Sequence, residues 1–367
     1  MKKTVVSIFA ALFVLCAPLS AVEWGGVIKD DTGISTPEFT FNQSNSLALW
    51  FKTPLGQSKA FSLSGEGFYK YNLAVTKAGS EFTNIADLTL FKLAGKINAG
   101  DGLINLSAGR FSVADATGAV FAQTSDGLSV VYSAATIKAG LYAGYTGLLN
   151  ALNVTMAAAP EKANKVYNLA YPYVPVGLTL ELPSLFLNQN VTIQGYGLFD
   201  CGSLKTNKYY ANLVIAGPFS NTVYYNLSTS LGSNNFKDFM NYTGFTLYVF
   251  PTEEISVNAG VEYGSAAQGK LAAYSSVSSK GADISGKITP KLGFTYGNEV
   301  LCADLGAKYI LSHDGSKYAG AGAELAASFV YNIFSDLQVG LSASAFFDTT
   351  SAKANTYNAN LNLALAF

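Results

Sequence analysis

The sequence predicts an all-β protein: a transmembrane, antiparallel up-and-down β-barrel of about 18 strands, with 16 as the alternative, preceded by a signal peptide. Three observations predict it. Apolar residues recur at every second position through to the last residue, where Tyr357, Ala359, Leu361, Leu363, Leu365 and Phe367 alternate with Asn358, Asn360, Asn362, Ala364 and Ala366. A period of two marks a strand with one oily and one wet face. Next, the 367 residues are 49% apolar and only 13% charged, against about 25% charged in soluble domains. The wet faces are Asn, Ser, Gly and Thr with scattered Lys and Glu, as suits a lumen better than a solvent-washed sandwich. Last, short connections alternate with longer ones along the chain.

At the N-terminus, Lys2 and Lys3 precede an apolar run from Val5 to Leu15, and Leu19-Ser20-Ala21 offers a cleavage site. Residues 1–21 therefore read as a cleaved secretory signal peptide and 22–367 as the barrel. The run is shorter than the roughly 20 residues of a spanning helix. Cys16 follows the bulky Leu15, a poor setting for lipidation. Losing Lys2 and Lys3 takes the 23 basic residues to 21 against 24 acidic ones, a net charge of −3. Cys201 and Cys302 remain, too few for a disulfide framework. No later run of 18 apolar residues offers a helical anchor.

Strands are expected at 22–29, 45–53, 60–75, 84–97, 103–112, 127–134, 136–147, 176–184, 190–199, 207–217, 222–232, 242–250, 255–264, 286–297, 299–311, 319–332, 336–347 and 356–367. Every second connection is short: Thr53–Ala60, Ile97–Leu103, Ala134–Thr136, Ser184–Asn190, Gly217–Thr222, Phe250–Ile255, Gly297–Glu299 and Asn332–Asp336. Those between include 30–44, 113–126, 148–175 and 265–285. Short periplasmic turns alternating with longer outer loops give a barrel of even strand number. Tyr263, Tyr309, Phe347 and Tyr357 then end oily stripes on the outer side, and Tyr296, Tyr331 and Phe367 on the inner, as two aromatic girdles.

A signal peptide, alternating strands and a terminal Phe367 behind Leu365, Leu363 and Leu361 resemble Gram-negative outer-membrane β-barrel proteins. Gly109-Arg110-Phe111, a loop, and Asp126-Gly127-Leu128-Ser129-Val130-Val131-Tyr132 resemble strand–loop–strand units of porins. The resemblance implies outer-membrane lipid as a partner and recognition of the final strand, ending at Phe367, by the barrel-assembly machinery. For porins of this size it also implies a homotrimer, and Ala139, Ala143, Ala303, Ala307, Ala323 and Ala327 on the oily stripes allow close contact.

Enzyme chemistry has little to stand on. There is one histidine, and Arg110 is the single arginine. His313-Asp314 and Asp30-Asp31, each in an expected outer loop, match the His–Asp couple and paired acids of surface barrel proteases, but as Asp, His and Gly they are turn formers first. Ser312 and Ser316 are loop serines. No glycine-rich phosphate loop opens a helix, and no ligand spacing supports Zn²⁺ or Ca²⁺. No catalytic, cofactor or metal site is expected. A net charge near zero and a pI of about 5.9 leave no footprint for nucleic acid.

A channel remains, since a barrel of this size is too wide for side chains to fill. The apolar connection 148–175, with Leu148, Leu149, Leu152, Val154 and Met156 before Ala157-Ala158-Ala159-Pro160, is expected to fold inward or against a neighbouring protomer. The connection 113–126 is the second candidate to narrow the pore. Alternation points Lys29, Lys52, Lys70, Lys92, Lys96, Lys138, Lys287, Lys291 and Lys308 into the lumen, with Glu23, Glu66, Glu181, Glu262, Asp304 and Glu324. Nine against six is +3, which predicts a weak anion preference. The balance falls on Asp30, Asp31, Asp115, Asp126, Asp238 and Glu253 in loops and turns. Parity sets Arg110 with Leu106 on the lipid face, unless a bulge at Gly109 turns it inward. The rival reading is a non-conducting surface protein, an adhesin or a loop-mediated binder, which longer and more charged loops would favour.

Overall fold

The structure, a computed structural model, describes residues 22–56, 59–154, 156, 166–350 and 354–367. The expected signal peptide with Cys16, and the Ala157–Pro160 part of the long connection, lie outside them.

Eighteen antiparallel strands run in sequence: β1 Glu23–Thr36, β2 Thr40–Leu55, β3 Phe61–Thr76, β4 Gly79–Ala99, β5 Gly102–Ala114, β6 Ala122–Ser133, β7 Lys138–Tyr145, β8 Tyr173–Phe186 and β9 Gln189–Asp200. They continue with β10 Lys208–Pro218, β11 Val223–Asn234, β12 Met240–Val249, β13 Ile255–Gly264, β14 Lys287–Gly297, β15 Leu301–His313, β16 Tyr318–Asn332, β17 Leu337–Asp348 and β18 Thr356–Ala366. Each pairs with its chain neighbours, and β1 also pairs with β18, so the sheet closes on itself. Closure removes every sheet edge, which a lipid-embedded sheet requires. Along the wall, exposed Leu, Phe and Tyr side chains such as Leu128, Leu178, Leu292 and Leu325 form the oily face.

The largest departure from expectation is at 30–44. These residues are strand, because β1 and β2 run on to a turn at 37–39. Asp30 and Asp31 therefore belong to β1, not to a loop. The run Lys29-Asp30-Asp31-Thr32-Gly33 is polar on both faces, so above the bilayer the alternation that reveals a strand disappears while the backbone ladder continues. Asp126 likewise lies within β6. The connection after β13, at 265–286, contains a short helix, α1 (Ser279–Ile284).

The buried core is not in the wall but inside the barrel. Ala119, Val120 and Phe121 from the β5–β6 connection pack with Leu149, Met156 and Tyr171 from the β7–β8 connection and with Tyr274, Val277 and Ile284 from 265–286. They rest on Tyr196 and Leu198 of β9, Tyr210 of β10, and Met240 and Tyr242 of β12. Three outer connections thus fold into the lumen against one side of the wall.

Candidate functional site

The β5–β6 connection is built around one carboxylate. Asp115 Oδ1 accepts hydrogen bonds from the backbone N–H groups of Val120 and Phe121, both at 2.9 Å. Its Oδ2 accepts from Thr117 N at 2.8 Å and Thr117 Oγ1 at 2.6 Å, and from Asn212 Nδ2 of β10 at 3.3 Å. Ala116 N donates to Gln194 Oε1 of β9 at 2.9 Å, and Asn212 Nδ2 to the same oxygen at 3.0 Å. Gln194 is held in turn by donating to Thr179 Oγ1 at 2.8 Å. A turn that starts at β5 is thereby pinned across the lumen to β9 and β10. Ser276 Oγ, from the 265–286 connection, donates to Ala119 O at 2.7 Å and locks the second loop onto the first.

This inward lean opens a slot in the wall. The β4–β5 ladder ends at Phe91 and Arg110, whereas β3–β4 continues to Thr76 and Gly79. Gly109 turns the chain there with φ +109°, and a Cβ at this position would run into the Phe91 carbonyl oxygen. The described parts of the 146–172 connection fill the slot: Asn150 Nδ2 donates to Ala86 O at 3.2 Å, Asn153 Nδ2 to Asp87 Oδ2 at 2.8 Å, and Ala86 N to Val166 O at 3.4 Å. A polar cavity of about 220 Å³ remains between Asp87, Gln123, Thr124 and Asn153.

Arg110 lies in this seam, 8% exposed. It neither faces lipid nor projects into open lumen. Its Nε and Nη2 donate to the two Asp126 oxygens at 2.8 Å each, Nη1 to Leu88 O at 3.1 Å, and Nη2 also to Leu148 O at 2.9 Å. Asp87 Oδ1 is 3.5 Å away. A planar guanidinium suits such a fork-on-fork pairing, and its remaining donors satisfy carbonyls that no strand covers.

The sequence-nominated charges divide between two sides of the wall. On β1–β4, Lys29 and Lys70 flank Ser46 in register, Lys52 and Lys92 flank Ser64, and Lys96 faces Asn105. None of these five lysines has an ion pair among the described residues. Glu66 accepts from Thr89 Oγ1 at 2.6 Å. Asp31 shares a face with Lys29, Glu81 and Asp87 share one with Lys70, Asp200 one with Leu198 and Asp348 one with Glu324. Against these stands one added lysine, Lys208, so the positive excess expected from the sequence is not retained along the strands.

Elsewhere the lysines are matched. Lys291 lies opposite Lys308, with Glu262 3.2 Å from Lys291 and Glu324 2.9 Å from Lys308. Lys138 pairs with Glu181 at 2.9 Å. Asp304 accepts from Thr295 Oγ1 at 2.7 Å and Ser328 Oγ at 3.3 Å, and Lys287 sits beside Ser312 at the outer end of β14. A recess of about 490 Å³ runs over Lys291, Asp304, Lys308, Glu324 and Asn360.

Alternation could not reveal Lys280 of α1, which reaches Glu262 at 3.4 Å and lies 5.4 Å from the centre of the Tyr242 ring. Burial pulls its ammonium down, but Tyr242 and Glu262 outweigh this and hold it above the ordinary lysine value. Nor does alternation single out Asp115, Gln194 or Asn212. A signal did exist: Tyr196, Tyr210 and Tyr242 are bulky residues on wet faces that are otherwise small.

The His313-Asp314 couple and the paired acids Asp30-Asp31 are not brought together. His313 ends β15 and Asp30-Asp31 lie on β1, four strand steps away around the sheet, about 19 Å at the usual strand spacing. Cys201 and Cys302 are both free thiols.

No protein-family model matches this sequence, and no curated protein does. Solved structures match in fold. OpdK of Pseudomonas aeruginosa, in a structure with vanillate, superposes with a TM-score of 0.63 at 10% identity over 95% of this chain and 99% of that one. OccK5 (OpdH) of the same organism gives 0.62 at 10% identity, covering 95% and 98%. OccAB4 of Acinetobacter baumannii gives 0.60 at 11% identity, again covering 95% and 98%. The chain has the closed 18-stranded antiparallel β-barrel fold of these structures.

Proposed function

We propose that the protein is a water-filled channel for passive diffusion of small hydrophilic solutes or ions, with a weak preference for anions. The observation that carries this is the asymmetry of the charged wall. Five lysines on β1–β4 have no ion pair among the described residues, whereas Lys138, Lys291 and Lys308 are each matched by a glutamate. Unmatched ammonium groups facing a narrow, low-dielectric passage raise the local anion concentration. The same inner-face residues, from Lys52 and Glu66 to Asp304 and Glu324, are the proposed pore lining, and the inward loops are the proposed constriction.

The rival, a non-conducting surface binder, is less well supported. The β3–β4 and β15–β16 connections span only 77–78 and 314–317, and the described parts of the three larger ones are largely turned inward.

Reversal potentials across a KCl gradient in planar bilayers test the reading. The wild type should favour chloride, and Lys52→Gln with Lys70→Gln and Lys92→Gln should abolish the preference. Glu324→Gln, which strips Lys308 of its partner, should strengthen it. Well-folded protein that forms no discrete channels would refute the channel itself, and cation selectivity would refute the lysine wall. The homotrimer is likewise a proposal, resting on the small residues Ala139 and Ala143 of β7 and Ala303, Ala307, Ala323 and Ala327 of β15–β16. Two different patches suit the heterologous contact of a ring. Native mass spectrometry showing only monomer at all concentrations would exclude it.

A further inference from the structure

Trp50 stands on the lumen face of the wall, the wrong face for a membrane anchor. It shares that face of β2 with Ser46 and Lys52, while Leu47, Leu49 and Phe51 hold the oily face. The other tryptophan, Trp24, is 71% exposed on the oily face near the inner rim, where rings favour the membrane boundary. That preference does not account for Trp50. It lies five residues in from the end of β2 at Leu55, about 17 Å along the strand, and is 38% exposed.

The wall makes room for its ring. The indole leans over β1 at Gly25, where a Cβ would come within 2.8 Å of Cζ2 and 3.0 Å of Cε2. The indole N–H donates to no group among the described residues and is not shut off from water. Glu66 stands directly opposite Trp50 on β3, with the two Cβ atoms about 5 Å apart. Thr89 Oγ1 donates to Glu66 Oε1 at 2.6 Å, which orients the carboxylate and leaves Oε2 without a partner among the described residues. Lys52 lies two residues on from Trp50, with Glu23 and Ser64 beside it in register. Phe68, opposite Ala48, is the diagonal neighbour of Trp50 on the outer side. Around an apolar ring face there are thus carboxylate acceptors on Glu66 and Glu23, and donors on Lys52 and the indole nitrogen.

This set suits a neutral sugar ring. A pyranose has an apolar C–H face to lay on the indole, and hydroxyls at its rim that both donate and accept. A carboxylate solute could use Lys52 but would bring its charge against Glu66. A purely apolar ring would strip water from the ionic groups and leave them unpaired, which costs more than one stacking contact contributes. We propose that Trp50, with Glu66 and Lys52, is a stacking subsite for a neutral sugar in transit through the lumen. The inference rests on the channel reading and gives that channel a solute class.

The test uses the mature chain in planar bilayers, with KCl carrying the current and maltose as the probe. Millimolar maltose should cause transient interruptions of the current. Sorbitol, which has the hydroxyls without a ring, and benzoate, which has a ring and a carboxylate, should each block about tenfold less well or worse. Trp50→Leu should raise the half-blocking maltose concentration about fivefold or more, Trp50→Phe by less, and Glu66→Gln several-fold. A second readout needs no current. In a Trp24→Phe background Trp50 is the single indole, and maltose should shield it from acrylamide quenching over the same concentration range. Heat-modified mobility on gels checks that each variant is folded. Folded protein that forms no discrete channels would overturn the channel and the subsite with it, whereas channels indifferent to maltose would overturn the subsite alone. Equal block by sorbitol or benzoate, or a maltose block that survives Trp50→Leu, would also overturn the subsite.

Discussion

The C-terminal Phe367 and Gly26 exchange both of their backbone hydrogen bonds, Phe367 N to Gly26 O at 3.0 Å and Gly26 N to Phe367 O at 2.9 Å. The Phe367 ring lies against the Gly26 Cα, where any Cβ would overlap it. The last residue of the chain thus completes the seam between β18 and β1, and the glycine is there to admit it.

Gly26→Val should therefore impair closure more than a typical strand substitution, because the new side chain must push away the ring or the terminal bonds. The folded, heat-modifiable fraction after refolding should fall several-fold, whereas Gly195→Val, at a position where a Cβ meets nothing within 4 Å, should leave it near wild type. Equal yields for the two variants would show that the terminal ring does not control closure. If the proposed recognition of the last strand by the barrel-assembly machinery also holds, Gly26→Val should assemble poorly in cells while its terminal sequence remains intact.

Asp115 makes a second, independent prediction. Five hydrogen bonds converge on a carboxylate that is almost fully buried, and bonds to a charged group contribute about 1.5–3 kcal/mol each, far from additively. Asp115→Ala should release the turn from β10 and unpin it from Gln194. Single-channel conductance should rise, with more open-state noise, while the wall stays intact by circular dichroism. Unchanged conductance would mean that this turn is not the constriction.

The wall was legible in the sequence wherever one face must meet lipid. Leu361, Leu363 and Leu365 or Leu301, Leu305 and Tyr309 leave no other reading, because a slip of one residue would put the whole stripe in water. Legibility stopped where that constraint stops. Asp30 and Asp31 continue β1 beyond the bilayer, where neither face need be oily. The inward turn of the loops depends on contacts such as Ala116–Gln194, 78 residues apart, and Ser276–Ala119, 157 apart. No local period encodes these. Parity alone misplaces Arg110 for a related reason: it assumes a continuous ladder, and the β4–β5 ladder ends at that residue, where the chain turns at Gly109, the alternative the sequence left open.

Asp314 carries the clearest pH dependence outside the membrane. The N–H groups of Lys317 and Ser316 and the Ser316 hydroxyl hold its carboxyl at about 2, below the usual 3.8. A depressed carboxyl stabilises the folded turn above its ordinary value, and that contribution is lost as the pH falls through about 2. Hydrogen exchange at 314–317 should thus be flat from pH 5 to 8, after correction for intrinsic rates, and should show extra opening below about pH 4. Asp314→Asn should remove that acid-dependent step. A step persisting in this variant would assign it to another group.

The Arg110 seam offers the sharpest test of how the wall is held where its ladder is broken. Breaking a buried ion pair by removing one partner typically costs about 3–5 kcal/mol, because the other charge is left uncompensated. Arg110→Ala would strand Asp126 and Asp87 together and uncover the Leu88 carbonyl, while the Leu148 carbonyl keeps the Tyr167 hydroxyl. Arg110→Lys keeps the charge but cannot make the two parallel bonds to Asp126, so it should fall between wild type and Arg110→Ala in urea unfolding. Limited proteolysis supplies the discriminating readout. If the seam holds the 146–172 connection in its slot, both variants should be cut there faster than wild type, Arg110→Ala the more so. Global destabilisation without selective cleavage in 146–172 would mean that Arg110 holds β5 to β6 and leaves the loop to its other contacts.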